Sequence, residues 1–328
     1  MIKITNLKKR FGDLCAVSDL SFQVNPGEVL GFLGPNGAGK STTMKMLTGF
    51  LSPSSGDISI FGINVASKPL EAQRLIGYLP EGAPSYGDMT VLSFLKFIAA
   101  VRGYRGSDVD ARVESVINKI QLEKVLYQRI ETLSKGFKRR VGLAQAIIHD
   151  PKVLILDEPT DGLDPNQKHQ VRELIKNLSK DKIVIISTHI LEEVHAVCTR
   201  ALIISSGTIV ADGSPDQLSA MSKYHQAVSL KLSQPCDAVS ALKALADVDS
   251  VAVGEEPNSY VVFPVPGKSI LKAVNQLLHD RDWQVEELHV EKGRLDDVFR
   301  QVTLSSAHGQ SQYKLDQSVK AEESEGVV

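Results

Sequence analysis

The feature that most limits what this chain can fold into is one stretch, Gly34-Pro35-Asn36-Gly37-Ala38-Gly39-Lys40-Ser41-Thr42. An apolar run ending at Leu33 precedes it and a helix-forming segment follows, an order that predicts strand, glycine-rich turn and helix. Glycines let successive backbone N–H groups turn inward around a phosphate, and the helix N-terminus adds partial positive charge. Lys40 would reach the β- and γ-phosphates of a nucleotide, and the Ser41 hydroxyl would bind Mg²⁺. We therefore expect the whole stretch to lie against a nucleotide.

Two carboxylates, Asp157 and Glu158, follow the apolar run Val153-Leu154-Ile155-Leu156. Such a run predicts a parallel strand covered on both faces, and ligands of open α/β sheets bind at the carboxyl ends of their strands. Asp157 is placed to hold Mg²⁺, directly or through water, and Glu158 to deprotonate a water facing the γ-phosphate. The alternative is a polar strand end that caps a helix. The phosphate-binding loop favours the hydrolytic interpretation.

Two further positions are candidates for phosphate contacts. His189 follows another apolar strand, residues 183–186, so it lies at the same sheet edge, where we expect it to bond the γ-phosphate. Ser134 is placed as the N-cap of a helix, and Gly136 keeps the first turn of that helix open to an anion. A capped, basic surface helix is the alternative for this second segment.

The organisation of the chain is that of an α/β protein with two domains. Strands dominate residues 1–81, helical periodicity marks about residues 82–150, and strands then resume with a βαβ unit. We expect a nucleotide-binding domain over residues 1–220, with the helical segment as an inserted subdomain. Residues 226–302 follow a β-α-β-β-α-β order that predicts a small α+β, ferredoxin-like module. Residues 305–328 are rich in polar and acidic side chains and predict a disordered tail.

The balance of charge gives no case for a nucleic-acid partner. Lysine and arginine number 37 and aspartate and glutamate 39, for a formal net charge of −2. Three widely spaced cysteines predict a reducing compartment, without a disulfide framework or a zinc site. No apolar run approaches the length of about 18 residues that suggests a membrane helix. We expect a soluble chain whose membrane role comes through a partner.

These motifs together resemble those of the ATP-binding subunits of ABC transporters, over about residues 1–220. The resemblance rests on the loop around Lys40, on the carboxylates of the βαβ unit, on Ser134-Lys135-Gly136, on Asp161-Gly162-Leu163-Asp164 and on His189. It implies a P-loop core of the ABC type with an antiparallel β subdomain, and ATP with Mg²⁺ as cofactors. It also implies that Phe11 stacks on adenine. The further residues implied at the nucleotide or metal are Glu81 and Asp164.

Two positions depart from the family pattern. The usual Leu-Ser-Gly-Gly-Gln is replaced by Leu133-Ser134-Lys135-Gly136-Phe137, and Glu81 stands where glutamine is more frequent. Ser134 and Gly136 keep the γ-phosphate contact that the family implies. Glu81 accepts hydrogen bonds and can bind Mg²⁺, but it cannot donate. Both departures resemble the drug-export, sodium-export and gliding-motility types of bacterial ABC ATPase.

The resemblance implies an export subunit that hydrolyses ATP and drives a separate multi-span membrane permease. It implies a homodimer enclosing two ATP molecules, with Ser134 of one subunit facing Lys40 of the other. The chain would then be cytoplasmic and peripheral on the inner face of the cell membrane.

Three alternatives to this function are open at the level of sequence. The first is a soluble ABC ATPase acting on nucleic acid or ribosomes. ATPases of that type have two nucleotide domains in tandem or a long coiled-coil insertion, whereas this sequence has one phosphate-binding loop and no heptad insertion. A nucleotide-binding regulator without turnover would lack Glu158. A P-loop kinase would explain Lys40 but not Ser134 and His189 together.

Overall fold

The structure, a computed structural model, describes residues 1–82 and 85–307. These residues form two compact units. The first comprises Met1–Ser214 together with the described residues from Val302, and the second comprises Pro215–Gln301. The sequence pattern predicts a first domain ending near residue 220, so the boundary lies earlier than expected. The segment after the boundary belongs to the second unit because, for example, the Ser222 hydroxyl donates to the Asp297 carboxylate at 2.9 Å.

A six-stranded sheet forms the centre of the first unit. Its strands, in their order across the sheet, are β10 (Thr208–Gly213), β9 (Arg200–Ser205), β3 (Val29–Leu33), β8 (Ile183–Thr188), β7 (Val153–Asp157) and β6 (Ile76–Leu79). The strands from β9 to β6 are parallel and β10 is antiparallel. Every residue of β3, β7 and β8 is buried, as continuous apolar runs predict. The carboxyl ends of β3, β8, β7 and β6 therefore meet at one edge.

A second sheet of the first unit is antiparallel. Its strands, in order, are β2 (Leu14–Val24), β1 (Ile2–Phe11), β4 (Ser55–Ile60) and β5 (Ile63–Asn64). The sequence predicts only short strands over residues 2–5 and 20–24, so β1 and β2 are longer than expected. Polar residues such as Lys8 interrupt the apolar pattern, but an antiparallel sheet leaves one face in water and accepts them. On the buried face the rings of Phe22 and Phe32 lie 5.8 Å apart and join the two sheets in one core.

Helices cover the central sheet and fill the segment between β6 and β7. The helices of the first unit are α1 (Lys40–Leu47), α2 (Pro69–Arg74), α3 (Val91–Val101), α4 (Ser107–Ile120), α5 (Lys135–Ile147), α6 (Pro165–Leu178) and α7 (Leu191–Val197). Helices α3, α4 and α5 contact one another and lie between the two strands in sequence, where helical periodicity predicts an inserted subdomain. The side chains of Thr90 and Ser134 cap α3 and α5.

The second unit contains one antiparallel sheet of four strands in the order β12-β13-β11-β14. Its elements are α8 (Pro215–Ser219), β11 (Val228–Leu232), α9 (Ala238–Lys243), β12 (Val248–Val253), β13 (Ser259–Pro264), α10 (Leu271–Asp280), β14 (Val285–Val290) and α11 (Leu295–Ala307), the last of which crosses into the first unit. Alternate residues of β11 and β13, among them Val228, Leu230 and Val262, form a core with Leu242 of α9 and Val274 of α10.

The last helix is longer than the sequence predicts. Helix α11 continues to Ala307, so residues 305–307, which composition assigns to a disordered tail, are helical. Serine and alanine do not end a helix that is already formed, since each added residue gains a hydrogen bond. The rest of the predicted tail, residues 308–328, lies outside the described residues. Within the described ranges, no helix combines the length and apolar character needed to cross a membrane.

Candidate active site

Four neighbouring strands end at one edge of the central sheet, and a predicted site residue follows each of them. The glycine-rich loop follows β3, His189 follows β8, Glu158 follows β7 and Glu81 follows Pro80 after β6. In open α/β sheets this edge is where ligands bind. The parallel order of the sheet thus brings together residues that are spread over nearly half of the chain, from Gly34 to His189.

The loop between β3 and α1 has a backbone that only glycine permits. Gly39 takes a φ of 103°, in the region that side chains disfavour. A Cβ on Gly39 would lie 2.5 Å from the carbonyl oxygen of Ala16, and one on Gly34 would lie 2.5 Å from that of Ile204. Helix α1 begins at Lys40 without a side-chain hydrogen bond at its N-cap. Its first N–H groups therefore remain available to an anion.

Lys40 is a nearly buried cation, 7% exposed, at the start of α1. Its Nζ donates to the backbone carbonyls of Gly34 at 2.7 Å and Pro35 at 3.2 Å. Burial lowers the pKa of Lys40, and the negative charge of three nearby carboxylates opposes that shift. These carboxylates belong to Glu158, Asp157 and Glu81. The structure thus brings the predicted loop cation and the predicted acidic residues into one site.

The two carboxylates after β7 are buried with unpaired oxygens. Asp157 is 2% and Glu158 8% exposed. Among the described residues, Asp157 Oδ1 and Glu158 Oε2 have no hydrogen-bond partner. Burying a polar oxygen without a partner costs about 1–3 kcal/mol, so these two atoms are placed to receive a cation or a water donor.

Glu158 has an unusual backbone for its residue type. Its φ is +50°, a left-handed conformation that costs a residue other than glycine about 1–3 kcal/mol. The Glu158 N–H donates to the Ser187 carbonyl at 2.9 Å. Glu158 Oε1 lies 2.9 Å from Nδ1 of His189, whose side chain is 51% exposed. The pair has the geometry of a carboxylate base held by an imidazole that also faces solvent.

Ser134, Gly136 and Asp164 form a second group, at the starts of α5 and α6. The Ser134 Oγ accepts from the N–H of Phe137 at 3.3 Å and caps α5, as predicted. The Asp164 Oδ1 accepts from the N–H of Gln167 at 2.9 Å and caps α6. A Cβ on Gly136 would lie 2.3 Å from the Gln167 Oε1. Gln167 thus links the two helix starts.

Phe11 ends β1 and keeps an accessible ring. The side chain is 47% exposed, and the Lys9 Nζ lies 5.0 Å from the ring centroid. The following strand, β2, passes beside the glycine-rich loop, since the Ala16 carbonyl faces Gly39. The hairpin of β1 and β2 thus carries an exposed aromatic ring and passes beside the glycine-rich loop, and the stacking of Phe11 on adenine stays a prediction.

The sequence pattern does not predict one buried residue of the site, Arg139. Arg139 stands in the basic run Lys138-Arg139-Arg140, which suggests an exposed helix surface, yet it is 6% exposed. Its Nη2 donates to the Glu158 carbonyl at 2.5 Å. The spacing of residues along α5 could have predicted this burial, because Arg139 falls on the same helix face as the buried Gly136, Leu143 and Ala146.

This fold and this site define a P-loop protein that hydrolyses a nucleoside triphosphate, and comparison with known proteins agrees. The family model described as ABC transporter matches residues 17–161. The chain is 35% identical over 303 residues to Nod factor export ATP-binding protein I of Burkholderia lata, covering 92% of this chain and 96% of the relative. It is 39% identical over 218 residues to the uncharacterized ABC transporter ATP-binding protein YxlF of Bacillus subtilis, covering 66% and 72%.

Solved structures give the same result. The structure of an ATP-binding subunit of an ABC transporter matches with a TM-score of 0.61 and 30% identity, over 66% of this chain and 91% of that one. CbiO1 from Clostridium perfringens, part of the CbiONQ transporter complex, matches with a TM-score of 0.61 and 28% identity, over 67% and 90%. The chain belongs to the ATP-binding subunits of ABC transporters. It is an ATPase that energises a membrane transporter.

Proposed function

We propose that this ATPase works as one half of a homodimer and energises export through a separate membrane permease. The observation that supports it most is the pair of buried, unpartnered carboxylate oxygens of Asp157 and Glu158 beside the buried cation of Lys40. That arrangement suits a site where phosphate charge, a metal ion and an attacking water meet. A regulator without turnover does not need such a carboxylate.

Each residue of the sheet edge has a proposed role. Lys40 and the loop N–H groups bind the β- and γ-phosphates. Glu158 accepts a proton from the water that attacks the γ-phosphate, and the unpartnered Oε2 is the atom available to that water. His189 holds Glu158 through Oε1 and has an exposed ring that can reach the γ-phosphate. Phe11 stacks on the base.

The residues present also fit Mg²⁺. Mg²⁺ binds oxygen, takes one or two protein ligands and completes its shell with water and substrate phosphates. Ser41 follows Lys40 at the start of α1, and Asp157 offers a buried, unpartnered Oδ1. Glu81, exposed beyond β6, is a further oxygen ligand. Bound there, Mg²⁺ would neutralise phosphate charge as the terminal phosphate is cleaved.

The second group of predicted residues supports a dimer. Ser134 and Asp164 are exposed and cap α5 and α6, and the Gln167 side chain of α6 lies against Gly136 in the first turn of α5. The capped start of α5 offers N–H groups and a hydroxyl to a phosphate. We propose that this phosphate belongs to the ATP of the other subunit, so that each site is complete only when two chains close.

The proposals of export and of membrane attachment rest on what the relatives are named for. The Burkholderia protein is named for Nod factor export, and CbiO1 is part of a complex with other subunits. The corresponding partner for this chain is a separate multi-span membrane permease, with the chain itself peripheral on the inner face of the cell membrane. The formal charge of −2 gives no support to a nucleic-acid partner.

We also propose that the chain divides into an ATP-binding domain and a small ferredoxin-like module. The element order β-α-β-β-α-β and the strand order β12-β13-β11-β14 support this assignment. Each unit has its own hydrophobic core, and the two cores share no residue. Val228, Leu230 and Val262 belong to the core of the second unit.

A mixing experiment tests the homodimer and the base together. Glu158→Gln should bind ATP but lose nearly all turnover, and Ser134→Ala should lower turnover by removing the γ-phosphate contact. In an equal mixture, a heterodimer pairs one unmodified Glu158 with one unmodified Ser134 across the same ATP. The ATPase rate of the mixture should therefore exceed the mean of the two separate rates.

The two outcomes against the proposal are distinct. If the mixture shows only the mean rate, Ser134 acts within its own chain and the shared site is wrong. If Glu158→Gln alone hydrolyses ATP at the parental rate, the base is wrong. A mixture of Glu158→Gln with the parental chain serves as the control for subunit exchange.

A further inference from the structure

Arg139 spans the ends of two strands that lead into the site. Its Nη2 donates to the Glu158 carbonyl at 2.5 Å and its Nη1 to the Pro80 carbonyl at 3.4 Å. Glu158 follows β7 and Pro80 follows β6, and these strands are paired neighbours. One guanidinium therefore bonds the backbone immediately before Glu81 and the backbone of Glu158 itself.

The bond to Glu158 falls where the backbone most needs support. Glu158 has a φ of +50°, and a left-handed residue other than glycine persists only where its surroundings hold it. Ser187 accepts from the Glu158 N–H, and Arg139 donates to the Glu158 carbonyl. Both backbone polar groups of the residue are thus fixed. Because the backbone directs the side chain, these bonds determine where the carboxylate points.

Burying a cation costs free energy unless the cation is paired and hydrogen-bonded, so a buried arginine indicates a specific role. Arg139 is 6% exposed, and burial lowers its pKa while nearby carboxylates raise it. Those carboxylates belong to Asp161, Glu158, Asp157 and Glu81. A guanidinium keeps its charge in such surroundings and reaches two acceptors with one planar group. A glutamine or a methionine would fill the volume without both bonds.

Arg139 lies on α5, the helix whose start is proposed above to face the ATP of the other subunit. Ser134 and Gly136 open the same helix, and Arg139 lies one turn further along it. A buried hydrogen bond from Arg139 thus connects this helix to the Glu158 carbonyl. We propose that Arg139 is a positioning residue for ATP hydrolysis, which fixes the Glu158 backbone and links it to the helix start and to the Glu81 strand end. This role presupposes the proposed function of Glu158 as the base.

Steady-state ATPase kinetics of the full chain with MgATP test this role. Arg139→Gln should lower kcat by about tenfold or more, since small misplacements of a reacting group have effects of that order. KM and the Kd for ATP should stay unchanged, because Arg139 acts on Glu158 and not on the nucleotide. Arg139→Lys keeps the charge and one bond, so it should recover part of the loss. Arg105→Gln, at an exposed arginine of the helical segment, is the matched control.

The decisive measurement is the double variant. In a Glu158→Gln background, Arg139→Gln should lower the residual kcat no further, since the carboxylate that it positions is gone. An equal loss in both backgrounds would show a general structural role and overturn the proposal. So would a parental kcat for Arg139→Gln, or for Arg139→Lys if the glutamine variant does not fold. A Glu158→Gln chain with parental turnover would instead refute the base, leaving the two failures distinguishable.

Discussion

At the scale of single residues, the site is defined by buried charged side chains, two of which lack full hydrogen bonding within the described part of the chain. The Lys40 ammonium group donates hydrogen bonds to two carbonyls of its own loop. Asp157 and Glu158 each keep one buried oxygen without a partner among the described residues. In the function proposed above, a metal ion and a water bound with the nucleotide would offset the free-energy cost of burying these unpaired atoms.

Phe11 allows a direct test of base stacking. Phe11→Ala should weaken ATP binding by ~1–3 kcal/mol, the range for stacking of a base on an aromatic ring. Isothermal titration calorimetry of the full chain with ATP measures this change. Phe61→Ala is the matched control, since Phe61 is 38% exposed and also has a lysine near its ring, Lys152 at 5.5 Å. Equal ATP affinity in the Phe11 variant and the parent would return Phe11 to a structural role.

The sequence predicts the residues of the sheet edge because polar side chains directly follow apolar runs. Asp157 and Glu158 follow such a run directly, and His189 follows one after Ser187 and Thr188, while Lys40 is marked by the glycine-rich loop. All four are thus predictable, and the structure brings them together. Arg139 is not, because a cation in a basic run looks exposed until the buried face of its helix is known. The left-handed backbone of Glu158 also leaves no mark in the sequence, since it depends on acceptors and donors from distant segments.

At the scale of elements, the apolar pattern underestimates the length of a strand or helix that is also stabilised by backbone hydrogen bonds. Strands β1 and β2 extend through polar residues because each is hydrogen-bonded along its length to a neighbour. Helix α11 continues to Ala307, beyond the apolar pattern that ends at Val302. Buried parallel strands and capped helices were predictable, because a continuous apolar run or an N-cap serine has few other interpretations.

Asp164 has two possible roles that helix capping can separate. Asp164→Ala should cost about 1 kcal/mol of stability by removing the cap of α6, and Asp164→Ser should restore most of it. If Asp164 also contacts ATP, as the family implies, the serine variant should keep the parental midpoint of thermal unfolding but raise the KM for ATP. Asp181→Ala, at an exposed carboxylate beyond α6, is the control. A serine variant with parental KM would leave capping as the only role.

At the scale of the whole molecule, the ATP-binding unit has an apolar cleft between the core and the helical segment. The cleft holds about 650 Å³ and is lined by residues of α2, β6, α3 and α5. Three of its apolar side chains are strongly exposed: Phe50 at 79%, Leu70 at 74% and Val101 at 66%. Exposed apolar patches of this kind are typical of protein interaction sites. Tyr78 of β6 also lines the cleft, three residues before Glu81.

The cleft is the surface that we expect the permease to occupy, with an apolar helical segment as the contacting element. Leu70→Asp should abolish copurification of a multi-span protein with this chain from detergent-solubilised membranes, because a buried unpaired carboxylate opposes docking. The ATPase rate of the isolated chain should not change, since Leu70 lies away from the sheet edge in sequence and is exposed. Val253→Asp, at a residue of the second unit that is 68% exposed, controls for added charge. Loss of copurification in the Val253 variant alone would move the docking surface to the second unit.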